Sequence, residues 1–296
     1  MPVKFPVMIA LTASLLVSFA GRAQDEVKIE ASQVRGDIYM ITGQGGNIGL
    51  FTGVDGSFMI DDQFAPLTEK IVEVVKSVGG DTPSYLINTH FHGDHSGGNE
   101  NLGKAGTLIM AHDEVRQRLV NGSFIAAFGM KAEPAGKQAL PTVTYSESML
   151  LHINGETVQI IHVPRAHTDG DSFVVFKSAN VVHAGDLFFN GFFPFIDAAH
   201  GGSVKGVIAG VDTILALTDG DSKIIPGHGP LANRADLTRY RDMLAIAYER
   251  LLKLKNQGVS AEDAVLQAPL EDLEADWGGG IFTADKWIGV VYPAVF

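Results

Sequence analysis

The chain has 296 residues, 46% of them apolar, enough for a large core in one or two domains. Its formal net charge of −12 repels polyanions and so disfavours nucleic-acid chemistry. Cysteine is absent, which excludes disulfides, a lipid-bearing N-terminal cysteine and thiolate metal ligands.

The first segment reads as a secretory signal. Lys4 gives a positive start, residues 5–20 are apolar, and Gly21-Arg22-Ala23 ends in a small-x-Ala pattern followed by polar Gln24-Asp25-Glu26. The apolar run is short for a membrane span. Cleavage is expected after Ala23, giving a periplasmic or secreted protein without a membrane anchor. Removing Lys4 and Arg22 leaves 20 basic against 34 acidic residues, a net charge of −14.

Beyond the signal, β-branched and aromatic residues between Gly-rich turns predict consecutive antiparallel strands near residues 36–42, 48–52 and 57–61. Leu67, Ile71, Val72, Val74, Val75 and Val78 form a helical stripe that ends before Gly79-Gly80. Tyr85-Leu86-Ile87-Asn88 is a short buried strand. The second half repeats this order: strands near 157–163, 172–176 and 181–183, a helix at 204–217, a strand at 223–226 and a long helix at 235–256. Strands followed by helices, twice over, predict an α/β fold of two facing sheets with helices outside. No Pro- or Ser-rich linker interrupts it, so residues 24–296 read as one domain. Residues 119–144 are the least regular part, either a loop or short helix near a site mouth or a plain surface excursion. Trp277 to Phe296 reads as packing or a subunit contact, and the oligomeric state is left open.

The chemistry is concentrated where the strand at Tyr85 ends. Thr89-His90-Phe91-His92-Gly93-Asp94-His95-Ser96-Gly97-Gly98-Asn99 places three imidazoles and a carboxylate within six positions. His90 and His92, two apart at a strand end, point the same way, and Asp94 and His95 fall on the turn beyond. Imidazole nitrogen and carboxylate oxygen suit zinc, and one such segment can serve two adjacent metals. Three later turns have a similar setting: Pro164-Arg165-Ala166-His167-Thr168-Asp169-Gly170-Asp171, His183-Ala184-Gly185-Asp186, and Pro226-Gly227-His228-Gly229 each follow an apolar strand. Any one alone would read as a turn residue capping a strand or helix; their recurrence favours ligands.

These motifs together resemble the metallo-β-lactamase superfamily of metal hydrolases, from about Gly45 to about Leu244. Ile60-Asp61 resembles the first family motif, Thr89 to His95 the second, and His167, Asp186 and His228 the third to fifth. The resemblance implies a four-layer αβ/βα sandwich. It implies one metal held by His90, His92 and His167, a second by Asp94, His95 and His228, Asp186 bridging them, and Asp61 orienting the histidine turn. The implied cofactors are two zinc ions, with iron or manganese suited to the same donors. The implied reaction is attack by a hydroxide shared between ions about 3.5 to 4 Å apart, with Asp94 as the catalytic residue that orients the nucleophile or relays a proton. His112, His152, His162, His183 and His200 have no motif position; of these His200, in Ala199-His200-Gly201-Gly202, is the one expected nearest the mouth.

The expected partner is a small-molecule substrate and not nucleic acid. In β-lactamases with a cysteine at the fourth motif, a lysine three positions later holds the drug's carboxylate. Here those positions are Asp186 and Phe189, and an apolar residue cannot anchor an anion. Asp186 together with His95 is instead the pattern of the broader thioesterases and lactonases, although a lactonase-like tyrosine at the same position and the basic residues of a glyoxalase II are missing. The run Leu187-Phe188-Phe189-Asn190-Gly191-Phe192-Phe193-Pro194-Phe195 reads either as core or as an aromatic wall beside the metals. The resulting expectation is hydrolysis of a small ester, thioester, lactone or amide. Two alternatives stand beside it: a class B β-lactamase, and a non-catalytic periplasmic protein that binds metal or a partner.

Overall fold

Residues 27–296 are described in the computed structural model of the protein, so the expected signal and its cleavage point lie outside the described residues. The N-terminal half contributes β1 (Glu30–Arg35), β2 (Ile38–Thr42), β3 (Ile48–Phe51), β4 (Phe58–Ile60), β5 (Tyr85–Ile87) and β6 (Leu108–His112). A separate ribbon of β7 (Ser123–Ile125) and β8 (Met130–Ala132) follows, and then β9 (Val143–Tyr145). Among the described residues, β1-β2-β3-β4-β5-β6-β9 form one sheet in that order, antiparallel through β4 and parallel from β4 to β9. The second half contributes β10 (Ser148–Ile153), β11 (Glu156–His162), β12 (Ser172–Phe176), β13 (Val181–His183), β14 (Lys223–Ile225) and β15 (Ala232–Asn233), which form the other large sheet. Its β13 and β14 are parallel and its other neighbours antiparallel.

Strand periodicity decides the layering. In β4, Phe58 and Ile60 face the other sheet and Met59 faces outward. Between the sheets, Ile38, Phe58, Ile60 and Ile87 meet Val158, Ile160, Val174 and Phe176, with the Phe51 and Phe58 rings edge-on to Phe176. Outside the first sheet, Leu50, Met59, Leu86 and Ile109 pack on Ile71 and Val75 of α1 (Thr68–Ser77). The short α2 (Gly93–Ser96) and α3 (Asn99–Lys104) follow the histidine strand, and α4 (Asp113–Asn121) precedes the ribbon. Outside the second sheet, Phe173, Val182 and Ile224 pack on Val207 and Val211 of α5 (Val204–Ala216) and on Leu237 and Leu244 of α6 (Arg234–Asn256). The protein is therefore a four-layer αβ/βα sandwich. Asn233 and Asp236 start α6 with a reciprocal capping box. Trp287, Ile288 and Val291, on the C-terminal helix Ala284–Val291, are buried in the same outer layer, which assigns that stretch to packing.

The irregular region at 119–144 combines the end of α4, a 3-10 turn at Lys137–Ala139 and loop segments. It contains the β7–β8 ribbon, turned at Gly129 with φ +62°.

Candidate metal centre

The seven candidate ligands come from both sheets and meet where strands end. His90 and His92 leave β5, Asp94 and His95 sit on α2, His167 lies in the turn after β11, Asp186 follows β13, and His228 follows β14. Their ligand atoms converge in two groups, His90 with His92, His167 and Asp186, and Asp94 with His95 and His228. In the first, His92 Nδ1 lies 3.1 Å from His90 Nε2 and 2.8 Å from His167 Nε2. In the second, His228 Nε2 lies 3.2 Å from His95 Nε2 and 3.3 Å from Asp94 Oδ2. Asp186 touches both: Oδ2 is 3.4 Å from His167 Nε2 and 3.4 Å from His228 Nε2, and Oδ1 is 3.1 Å from His95 Nε2.

The outward nitrogen of each ring explains why the inward one is bare. His95 Nδ1 faces Asp61 Oδ2 at 2.7 Å, His92 Nε2 faces Asp197 Oδ2 at 3.1 Å, and His167 Nδ1 faces the Phe195 carbonyl at 2.8 Å. These partners only accept, so the proton sits on the outward nitrogen and the lone pair points into the cluster. Thr89 Oγ1 donates to Asp61 at 2.7 Å and so accepts from His90 Nδ1 at 3.1 Å. Asp61, fully buried, also accepts the Thr89 amide at 2.7 Å. It holds φ +62°, a conformation that aspartate tolerates better than most side chains and that sets its carboxylate beneath the histidine turn.

Lone pairs that converge in this way need a cation among them, whether a proton or a metal ion. Asp186 Oδ1 is buried and makes no hydrogen bond. Two glycines keep the space open: a Cβ on Gly227 would come within 2.1 Å of that oxygen, and one on Gly46 within 2.1 Å of the His95 ring. The electrostatics say the same. Burial, with the charge of His95 behind it, pushes His90 well below the usual imidazole range, and burial takes His167 down to about 4. Burial is the largest single influence on His95 and His228 and opposes their charge, but the surrounding carboxylates together outweigh it, Asp186, Asp94 and Asp61 lifting His95 well up and Asp186 and Asp94 lifting His228 to about 9. Burial would raise Asp94, yet His95 and His228 hold it at about 2. The cluster thus demands positive charge, and its nitrogen and carboxylate donors fit zinc, iron or manganese.

These strand-end ligands recur in a known family. The family model described as "Metallo-beta-lactamase superfamily" matches residues 36–228. The chain belongs to that superfamily. By this membership it is a metal-dependent hydrolase. Solved structures share its fold. A metallo-β-lactamase from Pontibacter korlensis is 16% identical with TM-score 0.59, over 74% of this chain and 99% of that one. A Cronobacter sakazakii metallo-β-lactamase with a HARLDQ motif is 17% identical with TM-score 0.63, over 77% and 95%. The stereoselective inverting sec-alkylsulfatase Pisa1 from Pseudomonas sp. is 17% identical with TM-score 0.66, over 89% of this chain and 50% of that one. No curated protein matches the chain.

Two residues of the superfamily hydrolase that no sequence motif revealed, Asp197 and Asn47, support its candidate ligands. Asp197 accepts from both His92 and His200, whose Nδ1 is 2.6 Å from the same oxygen. Asn47 pins the His228 turn by donating to the carbonyls of Pro226 and Gly229 at 2.9 and 2.8 Å. Phe189, where β-lactamases resembling this chain place lysine, is buried and stacks on the His228 ring at 4.9 Å. Among the other histidines without a motif position, His183 donates to the Asn47 carbonyl, while His112 and His162 stack at 3.6 Å away from the ligands. Above the ligands lies a cavity of about 200 Å³, lined by Phe64, Ile125, Phe128, Met130, Phe195 and Ile281 among others and, among the described residues, by no lysine or arginine.

Proposed function

We propose that the protein is a dinuclear metal hydrolase, zinc being the best-suited ion, that cleaves a small uncharged ester, thioester, lactone or amide. The observation that carries this reading is Asp186 in contact with both ligand groups beneath an apolar cavity. His90, His92, His167 and Asp186 would hold one ion, and Asp94, His95 and His228, shared with Asp186, the other. Ions bound there would supply an acidified water and a Lewis acid for the carbonyl oxygen.

The chain's own residues do the rest. Phe189 and Phe195 exclude bulk water and shape the approach of the substrate. Asp94 is the most exposed carboxylate of the cluster, with 29% of its side chain accessible, and it lines the cavity. It is therefore placed to orient the attacking water and to carry its proton to the leaving oxygen, sulfur or nitrogen as the acyl bond breaks. Among the described residues no lysine or arginine lines the cavity, so the carboxylate of a β-lactam lacks the long basic anchor that would hold it, which ranks such substrates below neutral ones. We further propose, on sequence grounds, that residues 24–296 act as one hydrolase domain in the periplasm or outside the cell after removal of the signal.

Purified zinc-loaded protein assayed on esters, thioesters, lactones, amides and β-lactams decides the matter. Neutral acyl substrates should be turned over fastest, and Asp94→Asn should abolish turnover with the melting temperature unchanged. β-Lactam turnover that exceeds the rest by orders of magnitude would make the protein a β-lactamase; two bound metals with every substrate inert would make it a binding protein.

A further inference from the structure

The ribbon of β7 and β8 stands apart from both large sheets, and a two-stranded ribbon is marginal without something to pack on. Its register sorts its faces. Ile125 pairs with Met130, so both side chains point to one side, and that side lines the cavity above the metal ligands. Phe124 pairs with Lys131 on the other side, where Lys131 makes an ion pair with Glu133. The charged face of the ribbon is thus turned away from the site.

At the ribbon tip, Phe128 packs 4.9 Å from Phe195, and Phe195 lies 5.7 and 5.8 Å from the rings of His92 and His167. An apolar track therefore runs from the ligands outward, and it does not stop at the rim. Phe128 is 40% exposed, Met130 48% and Ile281, which lines the cavity from outside the ribbon, 48%. Scattered exposed apolar residues need no explanation, but three around one opening mark a binding surface. The cavity itself is smaller than a typical ligand pocket of about 300 Å³ or more. A ligand that fills it reaches the rim.

We propose that Phe128, Met130 and Ile281 form a subsite for an uncharged hydrocarbon chain of the substrate, which leaves the metal centre along the ribbon into solvent. The subsite rests on the hydrolase reading for its catalytic consequence, though not for its binding. The hydrolase then prefers long-chain acyl or alkyl substrates to acetyl ones. A second copy of the chain is the other occupant such a lip could take, but the track is continuous with the cavity over the ligands, and this favours a substrate chain.

Two measurements on the zinc-loaded protein test it: hydrolysis of p-nitrophenyl acetate, butyrate, hexanoate and octanoate, and fluorescence binding of N-butyl and N-octyl dansylamide. The expected rise is about twofold to fourfold per methylene in kcat/KM, with a parallel gain in probe affinity. Phe128→Ser with Met130→Ser should flatten both series. Because Phe128 also steadies the ribbon, Ile281→Ser, outside the ribbon, serves as the second variant and should flatten them in part. Butyl and octyl probes bound alike, or binding that neither variant changes, overturns the proposal. So do concentration-dependent dimers, abolished by the same variants, that compete with the probe. Chain-length-dependent binding with no ester turned over keeps the subsite and removes the hydrolase reading. Turnover and binding that are both flat in chain length do the reverse.

Discussion

The two halves of the metal centre are held differently. In the group of His90, His92, His167 and Asp186 every member is buried, and the outward nitrogen of each ring has a fixed partner in Thr89, Asp197 or the Phe195 carbonyl. In the group of Asp94, His95 and His228 only His95 is locked, by Asp61, while the side chains of Asp94 and His228 are 29% and 19% exposed. A rigid, dry set of donors favours tight and permanent occupancy. A partly open set favours exchange of water and substrate, as a catalytic metal position requires. On the proposed reading, the first group would hold its ion and the second would carry the chemistry.

Asp186 is where that division can be broken outright, because among the described residues it is the one carboxylate in contact with both groups. Asp186→Asn keeps the shape and removes the shared charge. Activity of the metal-loaded protein should fall by about 10³-fold or more, on the scale of removing a central element of a catalytic constellation. Elemental analysis should show fewer ions per chain than in the native protein. Full metal content with activity within tenfold of the parent would mean that Asp186 does not join the two groups.

A smaller effect should be confined to the rigid half. Asp197 supports His92 alone among the ligands, and Asp197→Asn leaves the His92 Nε2–H with a weaker, uncharged acceptor. Competition with a chromophoric chelator should show one of two binding constants weakened by about 10- to 100-fold, the other unchanged. Equal weakening of both would mean that the carboxylate shapes the fold of the region and does not specifically orient His92.

How much of this was legible in the sequence depended on how each residue is presented. His90, His92, Asp94 and His95 are readable because four ligand types crowd one turn after a buried strand, and His167, Asp186 and His228 because each repeats that setting. The layers were readable because strands followed by helices recur in both halves, and the buried faces of Phe58-Met59-Ile60 and Val181-Val182 show the same two-sided cover. Asp197 was not, since its role comes from a long loop folding back on His92 from 105 positions away, with no strand before it to announce a ligand turn. The strands β9 and β15, of three and two residues, are too short to show a period. The ribbon failed for a related reason: Ser123-Phe124-Ile125 and Met130-Lys131-Ala132 are three residues each, and Phe124 and Phe128 look alike in sequence although only Phe128 lines the cavity.

The finest test of the comparison counts protons. Burial keeps His90 and His167 below the usual imidazole range, His167 at about 4, so both are already neutral at pH 7.5 and give up no proton when a cation arrives. His95 and His228 are lifted by Asp186 together with the neighbouring carboxylates against the effect of burial, His228 to about 9, so a cation entering the open group must displace protons. The sign follows: a raised folded-state pKa means that protons compete with metal below about 9, and the affinity of the open group climbs as pH rises toward that value, while the rigid group gains less. Calorimetric titration with zinc at pH 7.5, in two buffers of different ionisation enthalpy, should show the weaker binding event releasing at least one proton more than the tighter one. Equal release from the two events would erase the electrostatic distinction between the halves and leave exposure as their only difference.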